Sequence, residues 1–167
     1  MTAAFHIAAL DSTHDRGTFV SGSDALDRYF REQVTQDIRR RICTCYVAVH
    51  TESGKIAGFY TLAAASVPLT EMPESLLKRL PRYPSVPAAR MGRLAVDRDF
   101  QKQKLGAALL WDAAMRALRS EIAAFSLIVD AKDENAVLFY RHHGFLEFGS
   151  LPNHLMLPLA TLNPAGK

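Results

Sequence analysis

The stretch from residue 89 to residue 130 constrains the fold of this chain more than any other. It reads ARMGRLAV, then a charged turn DRDFQKQK, then LGAALLWDAAMRALRSEI, and after two alanines FSLIVD. A β-prone apolar run, a helix-length segment and a second short apolar run make a strand–helix–strand unit. Such a unit pairs its strands in parallel and lays the helix across one face of the sheet. FSLIVD is apolar almost throughout, as befits a strand in the middle of a sheet. In the intervening helix Ala108, Trp111, Met115, Leu118 and Ile122 recur at spacings of three and four, which predicts that they form its buried stripe.

The remaining segments fall around this unit. FHIAAL (5–10) predicts a first strand, and GTFVSGSD a turn in which Ser23 or Asp24 caps a helix. Over 24–41 the apolar residues Leu26, Tyr29, Phe30, Val34 and Ile38 lie on one helical face. Arg39, Arg40 and Arg41 close that helix, where cations suit the negative end of its dipole and could also meet an anion. CTCYVAVH and IAGFYTLAAAS, joined by ESGK, predict an antiparallel hairpin. Residues 68–87 hold five prolines around a short helical piece, ESLLKRL. Asp133 caps a helix over ENAVLFYRHH that stops at Gly144, and FLEFG and HLMLPL supply two closing strands. Parallel pairing in the second half and a hairpin in the first predict an α/β (α+β) chain with a mixed sheet and helices on both faces.

At 167 residues, 49% hydrophobic and 22% charged, the chain has material for one domain, 1–167, with a substantial core. No apolar run approaches the roughly 20 residues of a membrane span, and the N-terminus lacks the basic start of a signal peptide. Cys43 and Cys45 are too close for a plausible disulfide and read as packing residues, so a cytoplasmic protein without a metal site is expected. His142 and His143 adjoin on a helix and read as surface or packing residues. The net charge of +3 permits an anionic partner without requiring one.

The turn at 101–107 invites an anion. A helix N-terminus offers unpaired N–H groups and partial positive charge, Lys102 and Lys104 add cations, and Gly106 and Ala107 let backbone approach a ligand closely. The turn follows the carboxyl end of a strand, where α/β sheets bind their ligands. It is neither a Walker loop nor a dinucleotide-binding fingerprint.

LAVDRDFQKQKLGAALL resembles the acyl-CoA-binding motif of the GNAT N-acetyltransferases, [QR]-x-x-G-x-[GA], with Gln101 first and Gly106 last. Lys104 stands where the first glycine belongs, so that lysine must accept an unusual backbone angle or let the loop relax. DENAVLFYRHHGF resembles the family's second signature, with Asn135, Tyr140, Gly144 and Phe145 in register. FVSGSDALDRYF, AGFYTLAAASVPL, GRLAVDRDFQ and HLMLPL extend the likeness over nearly the whole chain, toward the toxin branch found in toxin–antitoxin pairs. The resemblance implies a GNAT fold: a mixed, mostly antiparallel sheet of about six to seven strands with splayed central parallel strands and helices on both faces. It implies acetyl-CoA as acetyl donor, held by Leu94, Ala95, Val96, Gln101, Lys102, Gln103, Lys104, Gly106, Ala107 and Asn135. The backbone N–H of Val96 would hold the thioester carbonyl, and Tyr140 would protonate the leaving sulfur.

That branch acetylates the α-amine of the amino acid on charged tRNA. A free α-amine has a pKa of about 7.7–8.0, so an appreciable fraction is neutral without a strong base, whereas a lysine near 10.4 needs help. No Glu or His near either motif is evidently dedicated to that help. Lys78, Arg79, Arg82, Arg90 and Arg93 form a stretch without acidic residues and are the expected tRNA phosphate contacts. The resemblance also implies a ribbon-helix-helix antitoxin, a homodimer, and operator DNA reached only through the antitoxin. The alternatives are an acetyltransferase of a protein N-terminus or small amine, and an inactive protein that binds CoA or the antitoxin.

Overall fold

The computed structural model describes residues 3–162; the ends of the expected domain, residues 1–2 and 163–167, lie outside the described residues. The strands are β1 (Phe5–Ala9), β2 (Thr44–His50), β3 (Ile56–Pro68), β4 (Ser85–Val96), β5 (Ser126–Asp130), β6 (Leu146–Glu147) and β7 (His154–Pro158). They form a seven-stranded sheet in the order β1-β2-β3-β4-β5-β7-β6. β1, β2 and β3 pair antiparallel, as the hairpin signal predicts. β4 and β5 pair in parallel from Ala88↔Ser126 to Met91↔Val129, as the strand–helix–strand unit predicts. β4 continues to Val96, five residues past that register.

The parallel expectation fails one strand later. β7, not β6, lies beside β5, and both of its pairings are antiparallel. Burial explains the order. Leu155, Met156 and Leu157 are buried and suit an interior strand, whereas Leu146 and Glu147 are exposed and suit an edge.

Two compact units make up the chain: Met1–Ala63 with Gly92–Ala113, and Ala64–Met91 with Ala114–Lys167. The core of the first is aromatic. Phe30 stacks on Phe59 with ring centroids 4.2 Å apart, and Phe19 meets both rings edge-on. The helix expected over 24–41 is instead α1 (Asp24–Arg28), a π-helical turn (Tyr29–Gln33) and α2 (Val34–Arg39). The wider turn shifts the helical phase, so Tyr29, Phe30 and Val34 are all buried. Ser23 caps α1, accepting the Leu26 N–H at 3.4 Å. The three arginines do lie at the end of α2, exposed, with Arg41 in the left-handed region at φ 61°.

The core of the second unit gathers Val67, Met72, Leu76, Val86, Ala88, Ile128, Phe148 and Met156. Its proline-rich segment contains a 3₁₀ turn (Leu69–Glu71) and α3 (Glu74–Leu77), which is shorter than the seven residues of ESLLKRL. The Leu69 N–H donates to the Pro84 carbonyl at 3.1 Å and ties the two ends of the segment.

α4 (Leu105–Arg119) corrects the predicted stripe. Trp111 is 56% exposed and Ile122, beyond the helix end, is 81% exposed. The residues buried are Leu105, Leu109, Leu110, Ala113, Ala114 and Ala117. They keep the three-and-four spacing but sit on a neighbouring face of three leucines and three alanines, which lets the helix pass very near β3. A Cβ added at Gly58 would lie 2.7 Å from Leu109 Cδ1 and 3.0 Å from the Ala95 carbonyl oxygen. Both cysteines are free, and Cys45 is buried with its thiol pushed well above the usual range by that burial.

Candidate functional site

In the first unit the end of β4 and the following turn are fixed by side chains that bond to backbone. The Asp97 N–H donates to the Ala57 carbonyl at 2.8 Å, which anchors the turn beside β3. The Asp97 carboxylate is buried and accepts the Val20 N–H at 3.0 Å and the Asp99 N–H at 2.9 Å, capping a 3₁₀ turn at Arg98–Phe100. Gln101 Nε2 donates to the carbonyls of Ser21 and Val96 at 2.9 and 3.1 Å. The side chain of Gln101 therefore braces the loop, which leaves its backbone for any ligand.

Lys104 takes the unusual backbone angle: its φ is 62°, and that of Lys102 is 66°. Both lie in the left-handed region that glycine enters freely. Residues 101–104 are exposed. The first helical bond of α4 runs from the Ala108 N–H to the Lys104 carbonyl, so the amides of Leu105, Gly106 and Ala107 precede the ladder. No acidic residue lies in that first turn. Open amides, two neighbouring cations and small residues suit a diphosphate. On β4, Leu94 and Val96 are half-buried, while Ala95 is buried in the aromatic core and could line a ligand only through its backbone.

The second unit holds the other signature. Asp133 caps α5 (Glu134–His142), accepting the Ala136 N–H at 2.8 Å, and Asn135 is exposed in its first turn. Tyr140 is 7% exposed, with its ring centroid 5.3 Å from those of both Phe139 and Phe145. Its hydroxyl has no hydrogen-bond partner among the described residues. Burial, and secondarily the charge of Asp130, push its pKa up to about 12. The phenol thus carries its proton throughout the neutral range, as an acid catalyst must.

Asp130, the last residue of β5, was not singled out in the sequence. It accepts a hydrogen bond from Arg90 Nη1 at 2.8 Å, and His154 Nε2 lies 3.4 Å from its other oxygen. Asp130 and His154 are cross-strand partners at the ends of β5 and β7. A polar residue closing an apolar strand was the available signal for Asp130; nothing local distinguished His154.

The basic residues divide. Lys78, Arg79 and Arg82 are exposed, whereas Arg90 is paired with Asp130. Arg93 lies over the Tyr29 ring, 3.5 Å from its centroid. The Tyr29 hydroxyl donates to Asp37 at 2.7 Å, and burial followed by that bond raises its pKa far above the ordinary phenol. His143 meets the Phe139 ring edge-on and its pKa is pushed down, by burial first and then by His142. Among the described residues no helix is long and apolar enough to cross a membrane.

Residues 7–145 match the model of the Acetyltransferase (GNAT) family. The tRNA-acetylating toxin of Mycobacterium tuberculosis is 33% identical over 150 residues, which cover 89% of this chain and 88% of that protein. Among solved structures, AtaT complexed with acetyl-methionyl-tRNAfMet has a TM-score of 0.89 at 27% identity, covering 98% of this chain and 99% of that one. AtaTR bound with AcCoA has a TM-score of 0.83 at 25% identity, with the same coverage of 98% and 99%.

Proposed function

Because the chain belongs to the acetyltransferase (GNAT) family, we propose that it is a toxin that moves acetyl from acetyl-CoA to the α-amine of the amino acid on charged tRNA, so blocking translation. The likeness over 89% of the chain to a tRNA-acetylating toxin carries this reading. Acetyl-CoA supplies an activated acyl thioester. The amides and lysines of residues 101–107 bind its diphosphate, Leu94, Ala95 and Val96 line its pantetheine arm, and Asn135 bonds to that arm. The Val96 N–H polarises the thioester carbonyl, and the Tyr140 hydroxyl protonates the departing sulfur.

Lys78, Arg79 and Arg82, exposed and without acidic neighbours in sequence, contact tRNA phosphates. Arg90, paired with Asp130, and Arg93, over the Tyr29 ring, are the further phosphate contacts of this reading. The whole of 1–167 acts as one cytoplasmic acetyltransferase domain, a homodimer silenced by a ribbon-helix-helix antitoxin through which it also reaches operator DNA.

Purified protein, labelled acetyl-CoA and a pool of charged tRNA test this reading. Label should appear on the RNA-linked amino acid, and Tyr140→Phe should lower kcat by about 10²-fold with acetyl-CoA affinity nearly unchanged. Label reaching only free amines or protein N-termini would overturn the tRNA assignment. Acetyl-CoA binding without transfer to any amine would overturn the enzyme itself.

A further inference from the structure

The helix α4 has two apolar faces, and the fold covers one of them. Leu105, Leu109, Leu110, Ala113, Ala114 and Ala117 are buried. The stripe Ala108, Trp111, Met115, Leu118 and Ile122 lies outside that arc. Ala108 and Trp111 are exposed, Met115 and Leu118 are half-buried, and Ile122, just past the helix end, is exposed. A helix on a protein surface ordinarily turns polar and charged residues to solvent, and one that is apolar on every side is covered. The charged residues of α4 are Asp112, Arg116 and Arg119, and none of them stands in the stripe. We infer that this stripe is where a second copy of the chain docks, the two α4 helices packing antiparallel about a two-fold axis; this deepens the homodimer of the reading above and rests on it.

The stripe has the period of a helix pair. Its residues recur at 3-4-3-4 spacing without interruption, the seam along which each apolar side chain of a coiled coil enters a hole in the facing helix. Antiparallel pairing sets Trp111 of each copy against Ile122 of the other, and Met115 against Leu118.

The charges on the flank select the partner and the orientation. Asp112 follows Trp111 and Arg119 follows Leu118, so both lie on the same flank of the seam, two turns apart. Antiparallel helices bring that flank of one copy against the same flank of the other. Asp112 of each copy then meets Arg119 of its partner, twice by symmetry. Parallel helices would set Asp112 and Arg119 against Ala107 and Ala114 instead, and no opposite charges would meet. Asp112 accepts the hydrogen bond of the Tyr60 hydroxyl through Oδ2, which steadies it on this flank, and a carboxylate accepts several bonds at once. The face is thus complementary to itself.

The test is the mass in solution of wild type, Trp111→Glu, Arg119→Glu and Asp112→Lys, read by sedimentation over a concentration series. Wild type should sediment as a dimer that dissociates on dilution. Trp111→Glu should raise the dimer Kd by about 10²-fold or more, with a cooperative thermal melt showing that the monomer is folded. Arg119→Glu should raise it roughly tenfold at low salt, and the gap should close at high salt. Mixed in equal amounts, the Arg119→Glu and Asp112→Lys chains should pair with each other more tightly than either pairs with itself, since both cross-contacts then join opposite charges. Wild type that stays monomeric at every concentration would overturn the proposal and leave the face to a different chain. So would Trp111→Glu that dimerises like wild type. A mixture no tighter than its components would overturn the antiparallel arrangement. Where Asp112→Lys fails to fold for want of the Tyr60 bond, an unchanged Kd of Arg119→Glu at low salt overturns that arrangement by itself. Mass does not depend on turnover, so a chain that dimerises through α4 and acetylates nothing would end the acetyltransferase reading and leave the interface standing.

Discussion

Lys104 carries the sharpest single-residue consequence. Its left-handed backbone angle crowds the Cβ of any L-residue, whereas glycine adopts it without that strain. Lys104→Gly should therefore raise stability by about 1 kcal/mol, less what glycine loses in unfolded-state entropy. It also removes a cation beside the proposed diphosphate site. Acetyl-CoA affinity should fall several-fold at low salt, with the gap closing at high ionic strength. Thermal melts and calorimetry at two salt concentrations check both halves; an affinity unchanged at low salt would show that the lysine is only a strained substitute for glycine. This turn was legible in the sequence because it is local: a strand end, a basic loop and a helix start follow one another. Tyr140 was legible for the same reason, on one helix with its cap and stop residues. The Asp130–His154 pair was not, since the two residues meet only through the register of β5 on β7, which no local pattern specifies.

Elements were legible where periodicity carried them and misread where side-chain size had to be weighed. All seven strands and the main helices follow from apolar patterning, but the stripe assigned to α4 favoured its bulky residues. The structure buries the alanine-rich face because Gly58 allows the helix to approach β3 closely. Gly58→Ala should thus destabilise the protein by about 1–3 kcal/mol: the new methyl meets a buried leucine on one side and a backbone carbonyl on the other, and the carbonyl has little room to yield. Denaturant midpoints measure the loss, and a variant as stable as wild type would mean that α4 does not lie so near the strand. The π-helical turn after α1 was hidden for a related reason. Tyr29 and Phe30 are adjacent apolar residues that fit an ordinary helical stripe on paper, and only the aromatic core shows that the helix widens to bury both. The order of β6 and β7 depended on which strand was buried, and both read alike as closing strands.

Across the whole molecule, three buried acids tie stability to alkaline pH. Tyr29 and Cys45 in the first unit and Tyr140 in the second all have pKa values raised by burial. Each is neutral when protonated, so the folded chain retains a proton that the unfolded chain has already released. Stability then falls with rising pH, because the unfolded state binds fewer protons. The contribution is fully present below the unfolded pKa values, about 8.5 for a thiol and 10 for a phenol. It declines first through Cys45 and then through the tyrosines, and the share of Tyr140 is lost between about pH 10 and its folded value of about 12. Urea midpoints at pH 7, 9, 10 and 11 should already fall slightly over the first interval, through Cys45, and drop more steeply over the rest. Tyr140→Phe has no proton to lose at this position, so its midpoint should fall less steeply than that of wild type above pH 10, whatever its stability at neutrality. Parallel curves for the two proteins would mean that the phenol is solvated in the folded state, and a solvated phenol would lose the elevated pKa that keeps it protonated as the proposed acid.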